Sequence, residues 1–243
     1  HILNSKHCSS ELFEDTRRLT IIQKVNDNNK ENKENIKICR KENILMIVCE
    51  KTNTELFELL LKSEYCTKEA IMNLNHIKSN LLMYVCYLGN KDMLKVLIDF
   101  NDEYIQFFMD CINDNGYNFI LTIKNEKSFN YLTKHKSFKK DIMTIKNKNN
   151  SSLFLLSVGF KSNIAILIYN SEFFNIDMLL SCNKYGNNAL LMICNSKHKI
   201  LDDIKKSNHM KEIRNYFSSL TYLQQLYYYF NYPKYYEFCQ NDK

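Results

Sequence analysis

Two stretches of this chain repeat each other. Asn43 to Leu61 reads NILMIVCEKTNTELFELLL, and Asn80 to Ile98 reads NLLMYVCYLGNKDMLKVLI. Counted from the asparagine, Leu45 and Leu82 fall at plus two, Val48 and Val85 at plus five, and Cys49 and Cys86 at plus six. Thr52 and Gly89 fall at plus nine, and Leu56 and Met93 at plus thirteen. Leu59-Leu60 and Val96-Leu97 follow at plus sixteen and seventeen. The frame also fits SSLFLLSVGFKSNIAILI from Ser151 and NALLMICNSKHKILDDI from Asn188. A weaker copy begins at Asn118, with Ile120 and Ile123, and its second half is shortened. Starts at 43, 80, 118, 151 and 188 give a period of 33 to 38 residues.

That spacing predicts two short amphipathic helices joined by a tight turn near plus nine. The turn residue wants a left-handed backbone, which suits Gly89 and suits Thr52, Phe160 and Lys197 less well. A small residue at plus six (Cys49, Cys86, Ser157, Cys194) lets helices approach closely. One such pair cannot bury its apolar face alone, whereas stacked pairs can, so the fold class expected is an all-α helical solenoid.

The array resembles the ankyrin repeat family. The family signature D-x-x-G-x-T-P-L-H-x-A is echoed by NKYGNNALLMIC at Asn183 to Cys194 and by NDNGYNFIL at Asn113 to Leu121, with Gly186 and Gly116 two before the repeat start. The Thr-Pro pair is absent throughout, and Asn or Ser stands in its place as a helix cap. Spacings of 37 and 38 imply insertions in the hairpin loops. HEAT-like and tetratricopeptide periods lie close and keep other helical solenoids open.

The expected organisation has three parts. Residues 1–37 are a capping helix or the remnant of an earlier repeat (Ser9 to Val25) and a polar loop or linker (Asn26 to Lys37). Residues 38–207 carry about five repeats, and 208–243 form a Tyr-rich cap of one or two helices ending near Pro233.

Only four Gly and one Pro argue against an all-β fold with many tight turns. A net charge of +6 is too modest to imply nucleic-acid binding. No apolar run reaches the roughly 20 residues of a membrane helix. The sequence opens at His1 rather than Met, so an upstream leader stays open. Nine Cys, mostly inside apolar helical patterns, point to an intracellular, reducing, cytoplasmic setting.

No site for chemistry stands out. Cys-x-x-Cys is absent, and Cys194, His198 and His209 lack a fourth metal ligand at sensible spacing. No Gly-rich phosphate loop, HExxH or Gly-x-Ser-x-Gly motif occurs. The expectation is a non-enzyme with no catalytic residue, metal or cofactor. Lys134, Lys136, Lys139, Lys140, Lys146 and Lys148 are either a solvated face or a docking patch for an acidic partner. Asp99, Asp102, Glu103, Asp110 and Asp114 precede them and suggest an electrically polar array. The tyrosines from Tyr222 to Tyr236 suit packing on one face and a partner on another.

The ankyrin resemblance implies protein binding through hairpin tips and the concave helix surface. Carried over by position, the partner-binding residues are His76, Asp114, Asn115, Tyr117, Lys148, Lys184, Tyr185 and Asn187 at the tips, with Tyr87 on the inner helix. Glu50, Lys51, Leu88, Asn125, Glu126, Val158, Asn195 and Ser196 also fall at inner positions. Tyr87, Tyr117 and Tyr185 would form a row of aromatic anchors. The alternative is a structural subunit of a larger assembly, docked through the Tyr-rich end or the basic segment.

Overall fold

The structure is a computed structural model that describes residues 17–21, 38–160, 162–196 and 198–240. The regular elements among these residues are helices and one two-stranded antiparallel sheet, β1 (Arg17–Ile21) and β2 (Ile38–Glu42), with Arg17 opposite Glu42 and Ile21 opposite Ile38. The helix expected over Ser9 to Val25 is therefore a strand wherever it is described. Thr20, Ile21 and Ile38 are β-branched and favour extended backbone, and pairing outweighs the helical spacing. The linker over 26–37 lies outside the described residues. The chain divides into two compact units, 1–137 and 138–243.

In the first unit, α1 (Ile44–Glu50) and α2 (Thr54–Leu61) form one pair. The next pair is α4 (Leu81–Leu88) and α5 (Lys91–Phe100), after α3 (Lys68–Met72). Then come α6 (Asp102–Asp110), α7 (Phe119–Thr122) and α8 (Glu126–Thr133). Asparagine starts each pair: Asn43, Asn80 and Asn118 accept from Met46, Met83 and Leu121 backbone N–H at 3.1, 2.9 and 3.1 Å. Each satisfies a first-turn donor that would otherwise be orphaned. The turn between helices is left-handed as expected, at Thr52 (φ 55°) and Gly89 (φ 70°). A Cβ on Gly89 would lie 3.1 Å from Asn125 Cβ in the next repeat.

The helices stack in rows. The first helices α1, α4 and α7 pack in succession, and so do the second helices α2, α5 and α8. Leu45, Leu82 and Ile120 at plus two are fully buried, and so are Cys49 and Cys86 at plus six. Each large apolar side chain so buried contributes about 1.5–3 kcal/mol. In the second helices the buried stripe is Phe57, Leu60 and Leu61, matched by Leu94, Leu97 and Ile98. Leu56 and Leu59, expected inside, are exposed on the first repeat.

The second unit opens with a 3₁₀ turn at Lys140–Thr144, then α9 (Leu153–Gly159), α10 (Asn163–Tyr169) and α11 (Asp177–Leu180). Next are α12 (Ala189–Ser196), α13 (Ile200–Lys206) and α14 (His209–Ser219). The cap of α9 is Ser152, which accepts from Leu155 N–H at 3.3 Å, so this repeat starts at 152 and not at 151. The one-residue shift explains why Phe160 is not left-handed (φ −85°): plus nine becomes Lys161, outside the described residues. It also moves Val158 from plus seven to plus six, a core place, where it is buried.

The extra residues of the long period do not sit in the hairpin tips. They build a third element after each pair: α3, α6, the 3₁₀ turn and α11. The C-terminal segment forms α14, α15 (Tyr222–Asn231) and α16 (Pro233–Gln240), one helix more than expected. Pro233 opens α16, where a missing N–H costs nothing. The cover on the last repeat is α16, which packs on α12 and α14, and α15 packs on α16. Among the described residues no helix is long and apolar enough to cross a membrane.

Candidate partner-binding surface

Four loops share one hydrogen-bonded frame. In each, an asparagine five residues before the helix cap folds its side chain over the turn. Asn75 Oδ1 accepts from Ile77 and Ser79 N–H at 3.1 and 2.8 Å, and Asn113 Oδ1 from Asn115 and Tyr117 at 3.0 and 2.9 Å. Asn147 Oδ1 accepts from Asn149 and Ser151 at 2.9 and 3.0 Å, and Asn183 Oδ1 from Tyr185 and Asn187 at 2.9 and 3.1 Å. Backbone bonds of 2.8–3.1 Å join the first and fifth residues, from Asn75 N–H to Ser79 carbonyl through Asn183 N–H to Asn187 carbonyl. The fourth residue is left-handed in every loop: Lys78 (φ 60°), Gly116 (φ 76°), Asn150 (φ 60°) and Gly186 (φ 77°). An Asn side chain standing in for a backbone acceptor is an Asx turn.

Within each unit, neighbouring tips are tied together. In the first, Asn113 Nδ2 donates to Ser79 Oγ at 2.9 Å, and Asp114 N–H donates to Ile77 carbonyl at 2.9 Å. In the second, Lys184 N–H donates to Asn149 carbonyl at 2.9 Å, and Asn150 Nδ2 donates to Cys182 carbonyl at 2.7 Å. Each tip is thus held by its own asparagine, and neighbouring tips within a unit are tied to each other.

Of the tip residues inferred from sequence, His76, Asp114, Asn115, Lys148, Lys184 and Tyr185 are exposed. Tyr117 and Asn187 are half-buried, because the fifth position of the loop turns back toward the repeat, so Tyr117 is not an open anchor. Asp114 spends its carboxylate on Lys78 Nζ at 3.0 Å, across adjacent tips. Tyr87 is 56% exposed on α4, with Lys124 Nζ 3.6 Å from its ring centroid. Tyr185 is 65% exposed, with Lys184 Nζ 5.2 Å from its ring. Among the other inner positions, Glu50, Lys51, Glu126 and Asn195 are exposed and Leu88 and Ser196 half-buried. Asn125 instead caps α8, accepting from Lys127 and Ser128 N–H. Phe160 at plus eight, at 79% exposure, was missed because the register was one residue off.

Part of the acidic stretch pairs with lysines of adjoining repeats. Glu103 meets Lys68, Asp102 meets Lys136, and Asp99 accepts from Tyr131 hydroxyl at 2.8 Å. The basic segment loses two of its charges the same way, Lys136 to Asp102 and Lys140 to Glu172 at 3.8 Å. Such exposed pairs are each worth about 0–1 kcal/mol.

Among the described residues, Cys49, Cys86, Cys194 and Cys239 are buried. Burial holds Cys49 and Cys86 well above the ordinary thiol range, and it pushes Cys194 and Cys239 up to about 12. Thiols so raised are poor nucleophiles and poor ligands. His198 is buried and its Nδ1 accepts from Ile200 N–H at 3.3 Å, while the His209 ring lies 5.3 Å from that of Phe174. Among the described residues, no group of three or more His, Cys, Asp or Glu side chains could hold a metal ion. No protein-family model matches this chain, and no curated protein matches it.

Proposed function

We propose that this chain is a non-enzymatic, ankyrin-like recognition module that binds a protein partner through its tips and the exposed side chains of its first helices. The observation that carries the reading is the fourfold tip frame. One asparagine holds each loop, and the positions between differ in chemistry: His76, Asp114-Asn115, Lys148 and Lys184-Tyr185. A rigid backbone with varied exposed side chains suits recognition, since little loop entropy is lost on binding. Tyr87 and Tyr185 are the aromatic anchors, of the residue type enriched in binding hot spots. The seven cysteines whose side chains are described are free, which supports a reducing, intracellular setting.

The test is affinity capture of the tagged chain from its native source with mass spectrometry, beside a Tyr87→Ala/Tyr185→Ala variant. The expected result is a partner set held by the wild type and lost by the variant at unchanged helicity. Partners retained in full by the variant would place the working surface elsewhere.

A further inference from the structure

We propose that two copies of this chain pair through the outer face of α15. The helix reads YLQQLYYYFN and has two faces. Tyr228 turns inward against Phe217 and Tyr235, with ring centroids at 6.2 and 4.9 Å, and Gln225 Nε2 donates to the Phe217 and Leu220 carbonyls. Tyr222, Leu226 and Phe230, with Leu223 and Tyr227 beside them, fall at i, i+4 and i+8 on the opposite face. Tyr222, Leu223 and Phe230 are 74%, 76% and 74% exposed, and Tyr227 and Tyr229 are more than half exposed. Helix α15 packs on α16, and α16 already covers the last repeat, so this face is not needed as a cap.

Charge argues for a second copy as the occupant. The chain carries +6, yet α15 contains no Lys, Arg, Asp or Glu. A surface that meets itself across a two-fold axis must be self-complementary, and any charge near the axis would face its own sign. A Tyr hydroxyl both donates and accepts, so the exposed Tyr222 and Tyr227 can bond to their own images across the axis. A face built for a different protein would gain specificity from charges complementary to that partner.

Area agrees. Aromatic side chains bury about 150–250 Å² each, so covering these side chains would remove roughly 600 Å² per copy, at the lower edge of a specific interface. Residues 222 to 230 span about 12 Å of helix, so an antiparallel pair sets Leu223 of one copy near Phe230 of the other. The proposal goes beyond the repeat-surface reading and does not rest on it, because α15 lies outside the repeats.

The experiment is sedimentation velocity on the full chain from ~1 to ~100 µM, a range chosen to bracket a Kd of about 10 µM. Three chains are compared: wild type, Leu223→Lys/Phe230→Lys and Leu223→Glu/Phe230→Glu. The wild type should dimerise, and each variant alone should weaken dimerisation by at least ~10-fold with unchanged helicity and melting temperature. An equimolar mixture of the two variants should regain the dimer, since Lys then faces Glu at both contacts. Leu223→Gln/Phe230→Gln, which adds no charge, should also weaken pairing and guards against misfolding of the charged variants. A wild type that stays monomeric at ~100 µM, or variants as dimeric as wild type, would overturn the proposal. A monomeric wild type that co-sediments with phosphatidylserine vesicles would overturn it in favour of a lipid surface.

Discussion

Asn80 shows how much one side chain does in this chain. It is fully buried, its Oδ1 caps α4 through Met83 N–H, and its Nδ2 donates to Phe108 carbonyl at 2.8 Å. Asn80→Ala should cost about 2–3 kcal/mol in urea unfolding, because it leaves a buried acceptor and a buried donor unpaired. Asn80→Ser keeps the cap and loses only the donor, so it should cost about half as much. Two glycines separate strain from crowding. Gly89 and Gly186 are both left-handed, but only Gly89 has Asn125 against it. Gly186→Ala should lose about 1 kcal/mol for its backbone, and Gly89→Ala about 2 kcal/mol. Equal losses at the two sites would remove the close approach as a cause. The glycines at these turns were readable in the sequence. Lys78 was not, because lysine rarely adopts a positive φ, and Asn150 sits in a run with Asn147 and Asn149 that left its place open. The readable signal was the asparagine five residues before each cap, in NHIKSN, NDNGYN, NKNNSS and NKYGNN.

At the scale of elements, the helix pairs were legible because buried residues recur with a strict period. The third element was not legible in three of the repeats, since α3, α11 and the 3₁₀ turn are four or five residues long and too short to show periodicity. The register slip at Ser151-Ser152 arose because either serine can cap. The left-handed Asn150 decides it by lying two before the cap, as Gly116 and Gly186 do. The Tyr-rich end could not be sorted by composition, because its two helices share residue types and differ in what they touch. Tyr235 on α16 is fully buried, whereas Tyr222 on α15 is largely exposed. Tyr235→Ala should therefore cost about 3–5 kcal/mol by chemical denaturation, and Tyr222→Ala no more than about 0.5 kcal/mol. Similar losses at the two would contradict the assignment of α16 as the cover.

For the molecule as a whole, the buried thiols set an alkaline limit on stability. Burial pushes Cys66 above its ordinary value of 9.0 to about 11, and Cys194 and Cys239 to about 12. The fold holds these groups neutral, while the unfolded chain ionises near the ordinary value. Their contribution is therefore complete below about pH 9 and declines as pH rises toward 11 and then 12. The melting temperature should be insensitive to these groups up to about pH 9 and fall beyond it, with the thiolate absorbance appearing together with unfolding. A thiolate signal from the buried cysteines that precedes the loss of helicity would contradict this.

The asparagine-framed tips have a further consequence. Because the loop backbone is held by one amide side chain and by main-chain bonds, the side chains between are cassettes. Replacing His76-Ile77 with Lys-Tyr, the pair at Lys184-Tyr185, should move a binding chemistry from one repeat to another while leaving the melting temperature where it was. Under the proposed recognition role, sequence drift at the tips would change what is bound while the asparagine frame keeps the fold, so the two properties could be selected separately.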